Sequence, residues 1–165
     1  MKNYCAYLLC LMGITSLFSQ AYSGEGDQKF QVGINLQDNG TGINATYDYG
    51  LAENISLGIS STYLLSVDEN LNAGFTDRFD VKARANAHLG EVIGLGDEFD
   101  IYPGLDLSLK NFGFHTGVRY FLSDGFGLFG EVGFPIARYK SEDRSPAEEL
   151  HNQLVVSIGA SFNFR

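Results

Sequence analysis

Acidic, basic and imidazole side chains recur at every second position in the middle of the chain. Asp80, Lys82 and Arg84 are followed at the same spacing by Asn86 and His88. Residues two apart lie on the same face of a β-strand, so this spacing places acids, bases and an imidazole on one surface. Such a surface could carry acid–base chemistry, a metal, a proton path or a network of internal salt bridges.

Other segments contribute to the same surface with both signs of charge. An unpaired charge is costly to bury, so mixed signs favour an internal salt-bridge network over an open charged channel. A proton or ion path is the alternative. The predicted network comprises Asp48, Asp80, Lys82, Arg84, Asp106, Lys110, His115, Arg119 and Glu131. Within it we expect Arg119 to pair with Glu131, because the two residues lie on consecutive strands.

The sequence offers no motif for catalysis or metal binding. It contains no GxSxG, P-loop, HExxH or CxxC pattern, and both cysteines, Cys5 and Cys10, fall in a predicted export signal. His115 lies on the charged face without a serine that stands out as its partner. We therefore predict no catalytic residue, no cofactor, no metal ligand and no enzymatic activity.

The elements that must position these residues are β-strands. Between Leu154 and Phe164, apolar residues alternate without exception with small or polar ones, which is the pattern of a strand with two different faces. The pattern recurs in eight segments, at about 28–37, 41–51, 55–66, 78–90, 99–110, 112–122, 126–138 and 152–164. Pro103 and Pro135 fall inside two of them and predict bulges or strand ends, since proline cannot donate to a strand ladder.

The apolar face carries no charge in the middle of any segment, whereas the opposite face carries the predicted network. A water-soluble barrel would have the reverse arrangement, with apolar residues inside. Short turns alternate with longer polar loops at Ser66–Asp77 and Tyr139–Asn152, as in outer-membrane barrels. We predict an all-β fold, an eight-stranded antiparallel up-and-down transmembrane β-barrel with both termini at the periplasmic side.

The first residues predict an exported protein. Lys2, the apolar run from Ala6 to Phe18 and the small residues around Ala21 form a secretory signal, residues 1–21, cleaved after Ala21 or after Ser23. Residues 22–165 then form one barrel domain. The formal charge of −9 for the whole chain excludes the basic footprint of a nucleic-acid-binding protein.

The strand pattern and the aromatic-rich end, Ser157-Ile158-Gly159-Ala160-Ser161-Phe162-Asn163-Phe164, resemble the small eight-stranded outer-membrane barrels of the OmpA/OmpX-like group. Several phrases, such as Tyr102-Pro103-Gly104-Leu105, are similar to exported barrels of Bacteroidota with no assigned function. The resemblance implies residence in the outer membrane of a Gram-negative cell and recognition of the last strand by the barrel-insertion machinery. It also implies contact with outer-membrane lipid and lipopolysaccharide.

These observations predict a monomeric integral outer-membrane protein with a plugged polar lumen and a structural or surface-contact role in the cell envelope. Three alternatives stay open: a narrow, porin-like pore, a soluble periplasmic ligand-binding barrel, and a lipid-modifying outer-membrane enzyme.

Overall fold

The computed structural model describes residues 20–139 and 145–164, and in these residues eight antiparallel strands close into one barrel. Each strand pairs with its neighbours in the chain, and the first strand pairs with the last. The predicted up-and-down transmembrane barrel is therefore confirmed. The strands are β1 (Gln28–Gln37), β2 (Gly40–Ala52), β3 (Ile55–Val67), β4 (Phe79–Ala87), β5 (Phe99–Ser108), β6 (Asn111–Ser123), β7 (Phe126–Arg138) and β8 (Val155–Asn163).

The connections differ at the two ends of the barrel. At the end where β1 begins and β8 finishes, here called the termini end, tight turns join β2 to β3 and β6 to β7. At the opposite end, here called the loop end, a 3₁₀ turn (Glu69–Leu71) and the short helix α1 (Phe75–Arg78) join β3 to β4. The connection from β7 to β8 is also at the loop end, so the longer polar loops share one side.

Strand β8 begins three residues later than its alternation predicts. His151 and Asn152 do not extend the strand, because they are buried in the mouth of the barrel. The side chain of Asn111 holds them there through hydrogen bonds to the His151 carbonyl at 2.9 Å and to Asn152 Oδ1 at 2.8 Å. A tertiary contact thus replaces the first ladder bonds of the predicted strand.

Both internal prolines interrupt the ladder. Gly113 is the register partner of Pro135, and the next partner of β7, Ala137, faces Phe112, so Ile136 is an extra residue in a bulge. Pro103 lies inside β5, and the pairing of β5 with β4 stops beside it at Gly104. Both positions agree with the expectation that proline cannot sit in an uninterrupted ladder.

The two faces of the wall separate as the alternation predicts. Outward side chains such as Ile59 and Leu107 remain 59% and 53% exposed, whereas inward Arg84 and Arg119 are 3% and 0% exposed. Aromatic rings meet in pairs near both ends of the wall. These pairs are Phe30–Phe164 and Phe126–Phe162 at the termini end, and Tyr63–Phe75 and Phe75–Phe79 at the loop end. An apolar belt bounded by aromatic residues is the surface that a bilayer selects.

The segment that precedes β1 packs into the termini end. Ala21 is buried, and its N–H donates to the carbonyl of Asp97 at 2.6 Å. The Tyr22 ring stacks on His88 with 3.5 Å between ring centroids. Residues 1–19, which contain most of the predicted export signal, lie outside the described residues, so its cleavage stays a prediction.

Candidate functional site in the barrel lumen

The candidate site is a network of charged side chains that cross the lumen. Strand alternation directs Asp48 from β2, Arg84 from β4, Arg119 from β6 and Glu131 from β7 toward the barrel axis. An eight-stranded barrel is just wide enough for side chains to fill it. Residues on opposite walls therefore meet directly, even though their strands are not neighbours.

Asp48 lies between the two arginines at the centre of this network. Arg119 Nη2 donates to Asp48 Oδ2 at 2.5 Å, and Arg84 Nε lies 3.4 Å from Asp48 Oδ1. Arg84 also pairs with Glu131, Nη2 to Oε2, at 2.7 Å. The expected pairing of Arg119 with Glu131 is wrong, because Glu131 lies opposite Gly117 in the register and reaches Arg84 instead.

A buried aromatic ring supports both arginines. Tyr102 is fully buried, and the Arg119 guanidinium carbon lies 3.9 Å from its ring centroid, with that of Arg84 at 5.9 Å. The ring face offers negative electrostatic potential to the cations in a site without solvent. Gly117 makes room for the ring, since a Cβ there would overlap the Tyr102 side chain.

His115 joins the network on the β5 and β6 side. Its Nδ1 lies 3.1 Å from Asp106 Oδ2, and its Nε2 lies 2.7 Å from both Arg84 Nη2 and Asn86 Oδ1. The tautomer of the ring decides whether Nε2 accepts from Arg84 or donates to Asn86 Oδ1. His115 is fully buried, so it acts in these contacts as a member of the network.

A second histidine forms a hydrogen-bonded chain at the termini end. His88 Nδ1 lies 2.7 Å from Asp100 Oδ2, and His88 Nε2 lies 2.8 Å from Ser56 Oγ. Burial lowers the pKa of His88, which favours a neutral ring that donates to Asp100 and accepts from Ser56. The order serine, histidine, aspartate matches the relay of serine hydrolases.

The surroundings of Ser56 close this relay to a substrate. Ser56 is fully buried, and its Oγ also accepts a hydrogen bond from Asn86 Nδ2 at 3.0 Å. Tyr22 covers the His88 ring, and its hydroxyl lies within 2.9 Å of the carbonyls of Ala52 and Ile55. Burial, with the negative charge of Asp27, raises the pKa of Tyr22 to about 12, so the covering ring stays neutral.

The remaining predicted residues lie at the loop end. Asp80 is buried, and the positive charges of Lys82 and Lys110 attract its carboxylate. Lys110 Nζ donates to the Phe79 carbonyl at 2.7 Å and to the Thr76 carbonyl at 2.9 Å. Lys82 lines a small polar cavity together with Asp106, so it stands between this group and the central network. The predicted network therefore divides into a central group and a loop-end group, with Lys82 between them.

Sequence reasoning missed several members of the lumen. Lys29 Nζ lies 2.5 Å from Asp27 Oδ1, a buried pair at the termini end. Asp27 precedes β1 and so escapes a search based on strand alternation, although Lys29 falls on the inward face of β1. Tyr102 also falls on the inward face, and a search limited to charged residues excluded it.

Residues 145–154, here called the cover, pack over the loop end. Ala147, Leu150 and His151 are buried, and Gln37 Nε2 donates to the Leu150 carbonyl at 2.5 Å. Burial, reinforced by the positive charges of Lys110 and Lys82, lowers the pKa of His151 to about 4. The cover therefore holds a histidine in its neutral form.

We expect acid to loosen this cover. When the cover opens, His151 regains its ordinary pKa of 6.5, so the open form binds a proton that the closed form refuses until the pH approaches 4. The closed cover is therefore most stable above pH 6.5, where His151 is neutral in both forms. It loses stability as the pH falls from 6.5 toward 4.

Hydrogen exchange of the amides in residues 145–154, corrected for the intrinsic rate, measures this opening. When the pH is lowered from 7 to 4.5, the corrected exchange rate should increase in the parent. It should increase much less in His151→Gln. Equal exchange at both pH values in the parent would contradict the assignment.

Within residues 20–139 and 145–164, no group of His, Cys, Asp or Glu side chains has an arrangement that could hold a metal ion. The same residues contain no helix that is long and apolar enough to cross a membrane.

Sequence comparison assigns the chain to a family. The model of the family of unknown function DUF6646 matches residues 12–164. The chain belongs to this family. The DUF6646 match covers all eight strands and the whole of the lumenal network. No curated protein shows significant sequence similarity to this DUF6646 member.

Two solved structures share its fold. A de novo designed transmembrane β-barrel aligns with a TM-score of 0.58 and 11% identity, over 86% of this chain and 98% of the design. The outer membrane protein Ail of Yersinia pestis, determined in a phospholipid bilayer nanodisc, aligns with a TM-score of 0.51 and 13% identity. That alignment covers 85% of this chain and 100% of Ail. At these identities the likeness concerns the fold alone.

Proposed function

We propose that this protein is an exported, monomeric, integral outer-membrane barrel with a plugged lumen, and that it serves the envelope in a structural or surface-contact role. The observation that carries the proposal is the charge-compensated lumen inside an apolar wall. Asp48, Arg84, Arg119 and Glu131 neutralise one another across the axis, as a plug requires and as an open channel does not.

Both ends of the lumen support the plug. Tyr22 and the buried Asp27 pack into the termini end, and the cover of residues 145–154 packs into the loop end. Phe121 and Phe129 add buried aromatic rings to the lumen, Phe121 at the termini end beside Lys29. Cleavage of the signal after Ala21 would keep Tyr22 in the mature protein, and we propose that site over cleavage after Ser23.

We expect the purified protein to show no steady single-channel conductance in a planar bilayer. Ions would have to pass the stacked Tyr22 and His88 rings and then the two buried, paired arginines. An open porin measured in the same bilayers serves as the positive control. Steady, large conductance steps from the folded protein would favour the alternative of a small pore.

The outward face supports insertion in a membrane over a soluble periplasmic barrel. Large apolar side chains such as Ile59 and Leu107 stay exposed along the strands, and such a continuous surface is unsuited to water. Cell fractionation, combined with migration of unboiled and boiled samples on a gel, tests this point. Recovery from the soluble periplasm without a heat-dependent shift would overturn the proposed location.

Surface contact is the role we propose for the loop end. Asp68 and Glu69 are exposed there, so cation-bridged contact with lipopolysaccharide is available to them. At the other end, Phe162 in β8 and Phe164 just after it are the aromatic residues that we propose the insertion machinery reads. A lipid-modifying activity has no support in the lumen, since His115 is fully buried and Ser56 is covered.

A further inference from the structure

The seam between β4 and β5 is the weakest part of the described wall. Its ladder spans five residue pairs, from Lys82↔Ser108 to Asn86↔Gly104, and is shorter than the ladder at each of the other seams. Beyond the gap the register resumes, because the Leu89 N–H donates to the Ile101 carbonyl at 2.9 Å. The interruption is therefore local and surrounds Pro103.

The missing hydrogen bond follows from the register. In an antiparallel ladder, hydrogen-bonded pairs recur every two residues, so the Leu89–Ile101 pair requires residue 103 to donate to the Ala87 carbonyl. Proline has no N–H, so this bond cannot form. Within a membrane no water replaces the missing donor, and an opening in the wall at this position is exposed to hydrocarbon.

An apolar groove lies on the outside of the barrel at this opening. Its volume is about 350 Å³. In the half of β4 nearest the termini end the outward residues are alanines, Ala83, Ala85 and Ala87, and their short side chains leave a depression in the surface. Larger side chains of the neighbouring strands β3 and β5 flank the groove, and Asn86, an inward residue, lies at its base. The groove is lined by Ile55, Ala85, Ala87, Pro103, Leu105 and Phe114.

The position of the groove determines what can occupy it. Ile55 begins β3 and Ala87 ends β4, so the groove lies in the half of the wall nearest the termini end. Its outer lining carries no charged side chain. In the proposed membrane orientation this half faces the periplasmic leaflet, which consists of phospholipid. A narrow apolar groove between ridges of large side chains fits a single hydrocarbon chain.

We propose that this groove, here called the seam groove, is a binding site for one acyl chain of a phospholipid from the termini-end leaflet. The bound chain covers the interrupted ladder and separates Asn86 from the moving lipid. Asn86 bonds to Ser56 and Arg84, so the site also shields the lumenal network where the wall is thinnest. The inference rests on the membrane insertion in the proposed function.

The test uses the full mature protein, folded into phosphatidylcholine vesicles that contain a phosphatidylcholine with a diazirine on one acyl chain. After illumination, mass spectrometry of peptides locates the adducts. We expect adducts to concentrate on residues 85–87 and 103–105, above the level of equally exposed apolar residues elsewhere. Adducts spread evenly around the barrel would overturn the proposal.

Two variants and one control sharpen the result. Ala85→Phe fills the groove and should lower the adducts there several-fold. Pro103→Ala restores the missing donor, which should close the seam and lower the adducts without adding bulk. Ala160→Phe, on the outward face of β8 across the barrel, should leave the seam adducts unchanged. Unchanged seam adducts in both seam variants would contradict a specific site.

The heat-dependent gel shift of each sample separates this inference from the proposed function. A parent protein that shifts and carries evenly spread adducts is inserted and has no seam site. A parent that neither shifts nor enters the vesicles refutes membrane insertion itself. If Ala85→Phe fails to shift, Pro103→Ala decides the outcome.

Discussion

Leu107→Arg is expected to prevent most of the protein from assembling as an inserted barrel, while Leu109→Arg assembles like the parent. Leu107 lies outward in β5 and pairs with Phe112 and Ala83 on the two neighbouring strands. A charge on a lipid-facing side chain costs about 0–1 kcal/mol near the interface and rises to about 2–4 kcal/mol at the bilayer midplane. Leu107 lies inside the end of β5 and therefore deeper than Leu109. Leu109 lies in the turn after β5, where its side chain is 96% exposed.

The two variants form a matched pair, because they make the same chemical change two residues apart on the same outward side. The fraction of protein that shifts on boiling, after folding into vesicles, measures assembly directly. The folded fraction should be several-fold lower for Leu107→Arg than for Leu109→Arg. Equal folded fractions for the parent and both variants would show that β5 does not face lipid.

The strand pattern predicts the wall almost completely, for a physical reason. Alternation reports which side of a strand meets lipid, and the closed barrel leaves every strand with the same two environments. The bounds of β1 and β7 agree with the prediction residue for residue. β4 and β5 end earlier than predicted, at Ala87 and Ser108, and β8 starts later, because His151 and Asn152 are drawn into the loop-end mouth.

The partners within the lumen could not be predicted in the same way. Alternation places Arg119 and Glu131 on the inward face but does not determine which inward residue each one meets. That choice depends on the relative heights of strands on opposite walls. Asp48 reaches Arg119 from β2, a strand that is distant in the sequence and across the barrel. A pattern along single strands contains no information about such a contact.

Contacts between segments that are far apart in the sequence escaped prediction for a different reason. Tyr22 lies beside a predicted cleavage site, and its sequence context gives no sign that it stacks on His88. The relay of Ser56, His88 and Asp100 is similarly spread over three separate segments. Only the register of the strands brings these residues together.

The network makes Asp48 the residue whose loss should destabilise the barrel most among its carboxylates. Asp48 contacts both Arg84 and Arg119, and its side chain is 1% exposed. Asp48→Asn preserves the shape of the side chain but leaves two buried guanidinium groups without their shared carboxylate. Removing one partner of a buried ion pair typically costs about 3–5 kcal/mol, because the remaining charge is uncompensated.

Glu131→Gln is the matched control for this change. Among the residues that the structure describes, Glu131 forms an ion pair only with Arg84. Its side chain is 13% exposed beside the loop-end cavity, so water can solvate part of the charge left on Arg84. The midpoint of urea unfolding, followed by the heat-dependent gel shift, should decrease for both variants and decrease further for Asp48→Asn. A midpoint for Asp48→Asn equal to that of the parent would refute the central role of this carboxylate.

A double variant distinguishes lost pairing from lost packing. Arg119→Met removes one of the two cations that Asp48 compensates and keeps a long apolar side chain against the Tyr102 ring. Combined with Asp48→Asn, it leaves a single arginine, Arg84, which Glu131 still neutralises. The double variant should therefore unfold at a higher urea concentration than Asp48→Asn alone. If the two destabilisations simply add, the role of Asp48 lies in its hydrogen bonds and volume, and the lumen is not held together by charge.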